Sequence, residues 1–257
     1  MQVAIFLTNK ATVGECLEKG LFGTSAAYGR AVREGDLLLL YNFSASQLYG
    51  VWSAASDGGM FDPGAWGGDY RNQVRVSLAS REMVGVPGYC LEHMLGEAKK
   101  WGRLLTGSKG HNLLQYFAFD YSGEIGMGLP LHETEREYRR QHPAIFVSDD
   151  GHRVRFKEEK IIDDCLHVMQ VPHAYELVIA FPPAQLVPTF VLHRKSGEPV
   201  YVEVVSDAYA NGLEERMQRK NSIYAEHRLP VIELFPDDLR SVGTSLQRKL
   251  TAFKVTL

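Results

Sequence analysis

Residues 37–42 read LLLLYN, an apolar run too short for a helix and lacking the polar alternation of a strand wetted on one face. Such a run fits a central strand covered on both sides. Gly35-Asp36 supplies a turn before it, and Ser44–Gln47 connects it to a hairpin partner over Leu48–Ala54. Everything near this hairpin has to form a sheet around it.

The flanking segments fit that demand. Val3–Leu7 is a short apolar strand, and Thr12-Val13-Gly14-Glu15 has the form of a capping box opening a helix that Gly20 and Gly23 stop. A Gly- and Pro-rich loop over 57–68 leads to Gln73–Leu78, where Val74, Val76 and Leu78 alternate with Arg75 and Ser77. The expected unit is a small β-barrel with helices. A helix or two between Gly96 and Gln115 carries the one basic cluster, Lys99, Lys100, Arg103 and Lys109.

The second half has a different rhythm. It reads as a helix over Glu158–Val168, strands over Ala174–Phe181, Thr189–His193 and Val200–Val205, a helix over Gly212–Glu226 and a strand over Val231–Leu234. A turn at Lys195-Ser196-Gly197 joins the second and third strands. This order describes an α/β unit around a mixed sheet, so the chain as a whole is expected to be α+β. The organisation reads as a first domain over 1–126, a linker over 127–152 rich in charge and proline, and a second domain over 153–257. A chain of 257 residues is comfortable for two domains of ~100–150 residues each.

Composition narrows the function classes. With 45% hydrophobic and 23% charged residues the chain can build cores without disulfide or metal staples. A net charge of −3 gives no bulk signature of polyanion binding, so a nucleic-acid partner would need a local basic patch. Cys16, Cys90 and Cys165 form no CxxC pair and read as reduced, buried thiols. The nine histidines show no metal-ligand spacing on a predicted helix, and solvent-facing histidine is the expectation. No secretory signal opens the sequence and no apolar run nears the ~20 residues of a membrane span, which points to a cytoplasmic protein with no membrane partner. Walker A, GxGxxG, HExxH and GxSxG motifs do not occur.

Three blocks, IFLTNKATVGECLEKGLFG at 5–23, LLLLYNFSASQLYGVWSAAS at 37–56 and FDPGAWGGDYRNQVRVSL at 61–78, resemble the DCD (development and cell death) domain. That family is similar to the PUA-like superfamily, with its YTH and EVE members. The resemblance implies a PUA-like barrel that binds DNA or RNA, a modified base being one candidate target. Tyr41, Phe43, Trp52 and Trp66 offer planes for stacking, and Asn9, Asn42 and Ser44 offer hydrogen-bonding edges. The competing expectation is that these rings are barrel core and that the asparagines form turns.

The second half resembles the PD-(D/E)XK nuclease superfamily, in the segments VRFKEEKIIDDCL at 154–166, YELVI at 175–179, VPTFVLH at 187–193 and YVEVVSDAY at 201–209. A restriction-endonuclease-like mixed sheet follows from that resemblance, as does Mg²⁺ held by carboxylates, which polarises a phosphate and activates water. Glu159 and Glu203 fall at the metal-binding acids. The sequence departs from the motif at two places: Pro188-Thr189 stands where Pro-Asp belongs, and Val205 stands where the lysine belongs. Lys220 on the following helix is the substitute cation. The pairing of a base reader with a nuclease implies a Mg²⁺-dependent endonuclease in restriction or defence, with Glu159, Glu203 and Lys220 catalytic and a homodimer as the assembly entertained. Two alternatives stand beside it: a non-catalytic nucleic-acid or nucleotide sensor on a degenerate nuclease fold, and a protein–protein adaptor.

Overall fold

The leucine run lies at the centre of a seven-stranded sheet. A computed structural model describes residues 2–105, 108–117, 119, 131–195, 198–205 and 213–255, in two units, Met1–Leu129 and Pro130–Leu257. The strands of the first unit are β1 (Val3–Thr8), β2 (Leu21–Thr24), β3 (Leu37–Asn42), β4 (Gln47–Ala54), β5 (Asn72–Leu78), β6 (Val84–Pro87) and β7 (Arg103–Leu105). Their order is β2-β5-β4-β3-β1-β7, with β6 paired to β4, and the sheet curls into a half-barrel.

All six residues of β3 are buried, as a run without polar alternation requires. It pairs in parallel with β1, Val3 opposite Leu37 through Thr8 opposite Asn42, and antiparallel with β4. Side chains alternate between two faces. Leu38 and Leu40 enter a core with Phe6, Phe22, Trp52 and Val74. On the other face, Leu39 and Phe117 come so close to Gly50 that a Cβ there would stand 2.4 Å from Leu39 Cδ2.

Helix α1 (Val13–Lys19) ends as expected at Gly20, whose φ of +56° is the left-handed cap that glycine takes without strain. Its start differs from the capping box read in the sequence. Thr12 makes no side-chain cap. Asn9 Oδ1 instead accepts from the Ala11 and Thr12 amides, and the Glu15 carboxylate accepts from the Trp66 amide at 3.1 Å, tying the helix to the 57–68 loop. Short helices α2 (Glu92–Leu95) and α3 (Ser108–Gln115) complete the unit.

The second unit begins earlier than the sequence suggested. Residues expected to be linker form helix α4 (Glu133–Gln141) and β8 (Phe146–Val147), which pairs in a hairpin with β9 (Arg153–Val154) just past the expected linker. The reason is charge: Glu135 of α4 is buried against Arg216, so a run without apolar periodicity is packed through ion pairs. Helix α5 (Lys157–Val168) follows, then β10 (His173–Tyr175), β11 (Ile179–Phe181), β12 (Ala184–Leu186), β13 (Phe190–Leu192), β14 (Val200–Val204), α6 (Leu213–Glu226), β15 (Val231–Leu234), α7 (Pro236–Leu239) and α8 (Val242–Ala252). The main sheet runs β10-β13-β14-β15, antiparallel except for the parallel pair β14/β15. The single strand expected over Ala174–Phe181 is broken at Glu176, whose φ is +47°; β11 turns away to pair with β12.

One face of this sheet, with Phe190, Leu192, Val202, Val204, Ile232 and Leu234, buries Ile162 and Leu166 of α5 and Leu246 and Leu250 of α8. Alternation along β14 sends Glu203 to the opposite face, toward α6. The turn read at 195–197 and the start of the helix read from Gly212 fall partly outside the described residues. No helix among the described residues is long and apolar enough to cross a membrane.

Candidate functional site

The residues set aside for a base divide into three places. Asn9, Asn42 and Phe43 meet at the C-terminal ends of the parallel strands β1 and β3, where the Phe43 amide donates to Thr8 O at 3.1 Å and the Lys10 amide to Ser44 Oγ at 3.1 Å. Both asparagines act as turn formers: Asn42 Oδ1 accepts from the Ser44 and Ala45 amides, much as Asn9 Oδ1 serves Ala11 and Thr12. Phe43 is 53% exposed, the one ring of the set that solvent reaches freely.

Trp52 and Trp66 lie in the core, at 5% and 7% exposure. Trp52 meets Phe22 edge-on with centroids 5.0 Å apart, and the Trp66 indole covers Gly23 and meets Tyr70 at 5.3 Å. Tyr41 belongs to the opposite face, its ring 4.3 Å from that of Trp101. These three rings do not share a slot with Phe43. Their separation follows from the alternation along β3, which puts Leu38 and Leu40 on the face of the Trp52 core and Leu39 and Tyr41 on the other.

In the second unit the structure does gather the predicted acids. Glu159 of α5, Thr189 just before β13 and Glu203 of β14 line one small cavity with Tyr138, Glu176 and Arg216. Its volume is about 10 Å³, at the lower limit for a single water. Glu203 is 1% exposed and fully engaged: Oε2 accepts from Lys220 Nζ at 2.8 Å and Thr189 Oγ1 at 3.1 Å, and Oε1 from Tyr224 OH at 2.6 Å. Thr189 therefore serves as a hydrogen-bond donor to Glu203. Burial, aided by the Arg216 charge, lowers the Lys220 pKa.

Glu159 sits differently. Its Oε2 accepts from the Arg155 amide at 2.9 Å, the Phe156 amide at 3.1 Å and Tyr175 OH at 2.8 Å. Burial, and the nearby Glu176 charge, nevertheless push its pKa up to about 7. Glu176 goes the other way: burial opposes its charge, but Arg139 and the bidentate Arg155, at 2.9 and 2.8 Å, hold its carboxyl well below the usual range.

Sequence reasoning missed the ion pairs of Arg139 and Arg155 with Glu176 and of Arg216 with Glu135, since no spacing joins a helix at 133–141 to one at 213–226. It also placed the histidines in solvent, whereas His152 and His173 are buried beside Asp150 and Asp163. All three cysteines are free thiols, Cys16 and Cys90 buried; burial raises the Cys16 pKa to about 11 and that of Cys90 to about 12.

The first unit carries a development and cell death domain: the family model of that name matches residues 2–87. Over 87 residues the chain is 46% identical to the DCD domain-containing protein NRP-B of Glycine max, a match covering 30% of this chain and 26% of that protein. Over 90 residues it is 47% identical to the B2 protein of Daucus carota, covering 34% of this chain and 43% of that protein. The chain thus spans less than half the length of these curated relatives. Among solved structures it is similar to the YTH domain of the Zygosaccharomyces rouxii MRB1 protein in complex with N6-methyladenosine RNA, at 16% identity and a TM-score of 0.35, covering 50% of this chain and 90% of that one.

Proposed function

We propose that the chain is a non-catalytic nucleic-acid-binding protein, in which the development and cell death unit supplies the binding surface and the second unit has the layout of a nuclease with a closed acid site. The observation that carries this reading is the closure of Glu203. A hard divalent cation needs open carboxylate oxygens and several waters. Here an ammonium already stands 2.8 Å from one oxygen and a phenol 2.6 Å from the other, around a cavity with room for about one water. Glu159, with a pKa of about 7, is a weak ligand for such an ion near neutrality. On the first unit, Phe43 offers an exposed plane at the rim of β1 and β3, and Lys10, whose amide bonds the neighbouring Ser44, brings a positive charge to the same rim, the kinds of group that a single-stranded base and its phosphate require.

A second reading, a Mg²⁺-dependent endonuclease, is favoured by one observation, the convergence of Glu159, Thr189 and Glu203 on a single cavity. One experiment separates the two. Fluorescent DNA and RNA oligonucleotides are titrated at low salt, where phosphate contacts are strongest, against wild type and Phe43→Ala, and nicking is followed with Mg²⁺. The binding reading expects no cleavage and a loss of ~1–3 kcal/mol of affinity in Phe43→Ala. Cleavage that disappears in Glu203→Ala establishes the endonuclease. No oligonucleotide binding at low salt leaves an adaptor.

A further inference from the structure

Four side chains of the second unit meet at one point that the acid cavity does not include. Asp150 comes from the turn between β8 and β9, His152 from the residue before β9, Asp163 from α5 and His173 from β10. One ligating atom of each lies within 4.8 Å of all the others, and His152, Asp163 and His173 are buried. His152 Nδ1 stands 3.0 Å from Asp150 and 3.2 Å from Asp163; His173 Nε2 stands 3.3 Å from Asp150 and 3.5 Å from Asp163.

The geometry points to a divalent transition-metal site of the zinc class, with Asp150, His152, Asp163 and His173 as its four ligands. Nitrogen and oxygen ligands held ~2.0–2.1 Å from a tetrahedral ion are ~3.3–3.4 Å from one another. The four nitrogen-to-oxygen separations here, 3.0 to 3.5 Å, scatter around that edge length, with Asp163 meeting His152 through Oδ2 and His173 through Oδ1. Charge-assisted hydrogen bonds would look different: each would close on one partner at ~2.7–2.9 Å. Here each ring nitrogen stands between both acids, His152 Nδ1 lying 3.0 Å from both oxygens of Asp150 and 3.2 Å from Asp163.

Asp163 gives the independent sign. It is 0% exposed, and neither of its oxygens has a hydrogen-bond partner although both face the imidazoles. A carboxylate so placed is costly unless a cation completes it. His173 Nε2 likewise has no hydrogen-bond partner, while its Nδ1 lies 2.8 Å from Val171 O. That bond puts the ring proton on Nδ1 and aims the Nε2 lone pair at the acids, the outer-shell arrangement that metal-bound histidines use. Ser148 Oγ donates to Asp150 Oδ1 at 2.8 Å in the same supporting role. Two carboxylates and two neutral imidazoles around a divalent ion sum to zero charge, which a buried site requires. Mixed imidazole and carboxylate donors in a small cage suit zinc better than magnesium. All four positions come from protein, so the site is structural: it clamps the 146–154 hairpin, α5 and β10 together.

The test uses the full chain, expressed with zinc, passed through a desalting column and measured by inductively coupled plasma mass spectrometry. A second sample is stripped with dipicolinate and titrated with Co²⁺ alone. The expected result is about one zinc per chain, intense visible Co²⁺ absorption of a four-coordinate site, and a melting temperature that falls on stripping. Asp163→Asn and His173→Ala lose the bound zinc at least about tenfold, and His167→Ala, an exposed position on the same helix, keeps it. Wild type with zinc well below stoichiometry and only the weak colour of hydrated Co²⁺ overturns the site, as does an Asp163→Asn protein that keeps both zinc and colour. If the variants do not fold, the wild-type zinc content and Co²⁺ spectrum decide alone.

Discussion

Replacing Glu159 by glutamine isolates the carboxyl of the acid cavity whose pKa burial raises. Glutamine keeps an acceptor oxygen for the Arg155 and Phe156 amides and Tyr175 OH, so its effect is on the proton rather than on packing. The folded-state pKa of Glu159 is raised from 4.5 to about 7 by burial and by Glu176. A raised pKa means the folded state holds the proton over an interval in which the unfolded chain has lost it. Stability from this group is thus complete below about 4.5 and falls as pH climbs through about 7. The difference corresponds to roughly 3 kcal/mol. Wild type should therefore lose roughly 3 kcal/mol relative to Glu159→Gln between pH 4.5 and 8. Taking the difference between the two proteins removes the other titrating groups. The three tryptophans, Trp52, Trp66 and Trp101, all belong to the first unit, so fluorescence is blind to this change. Amide hydrogen exchange over α5, read by mass spectrometry against pH, follows it. A difference that stays flat from pH 4.5 to 8 refutes the reasoning. A slope that millimolar Mg²⁺ abolishes refutes the closed site, because a bound cation would keep Glu159 ionised.

Two further perturbations test the packing around these sites. Glu203→Gln and Lys220→Met each strand one member of a buried pair and should each cost ~3–5 kcal/mol by exchange over β14 and α6, with the double variant losing much less than their sum; additive costs would show that the 2.8 Å contact carries no coupling. In the first unit, Gly23→Ala places a Cβ 2.4 Å from the Trp66 ring and 2.8 Å from Tyr70 Cβ and should cost ~1–3 kcal/mol by tryptophan fluorescence in urea. Gly14→Ala, with open space around it on α1, serves as the clash-free comparison in the same assay and should stabilise by ~0.4–1 kcal/mol.

The first unit was legible in the sequence because short-range patterns controlled it. An apolar run of six residues, a hairpin connection and a stop glycine each act within a few positions, and the strands appear where they were read. What the patterns did not reveal was which way an aromatic points. Trp52 and Tyr41 sit on neighbouring strands, yet they pack on opposite faces because Tyr41 follows the parity of Leu39 and Trp52 pairs with Leu38. A one-residue shift of β4 against β3 would have put Trp52 on the face of Tyr41. The second unit was legible in the positions of α5, β13, β14, α6 and β15, and Glu159, Thr189 and Glu203 line one cavity. Its ion pairs were not legible. Glu135 and Arg216 are separated by eighty-one positions, and nothing local in either segment announces the other. A charged run that looks solvated from sequence becomes interior when its partners arrive from a distant helix.

Helix α5 shows why these buried charges belong to one construction. Glu159 and Asp163 are four residues apart, so they lie one above the other on the same face. The first enters the acid cavity and the second the His152–His173 cluster. Ile162 and Leu166, a step around the helix, enter the hydrophobic core, while Lys160 and Asp164 pair on the outer side at 2.7 Å. A helix with two acids facing inward is stable only if strands and turns on the inner side present donors or cations to both. Tyr175 and His173 do so from the same strand, β10, at alternate positions along its length. The spacing of two residues on a strand against four on a helix lets one strand serve both acids at once, since ~6.6 Å along β10 nearly equals ~6 Å along α5. Polar order in this unit therefore rests on the registry of α5 against β10, and a clamp on Asp163 and His173 fixes the same registry that holds Glu159 to Tyr175.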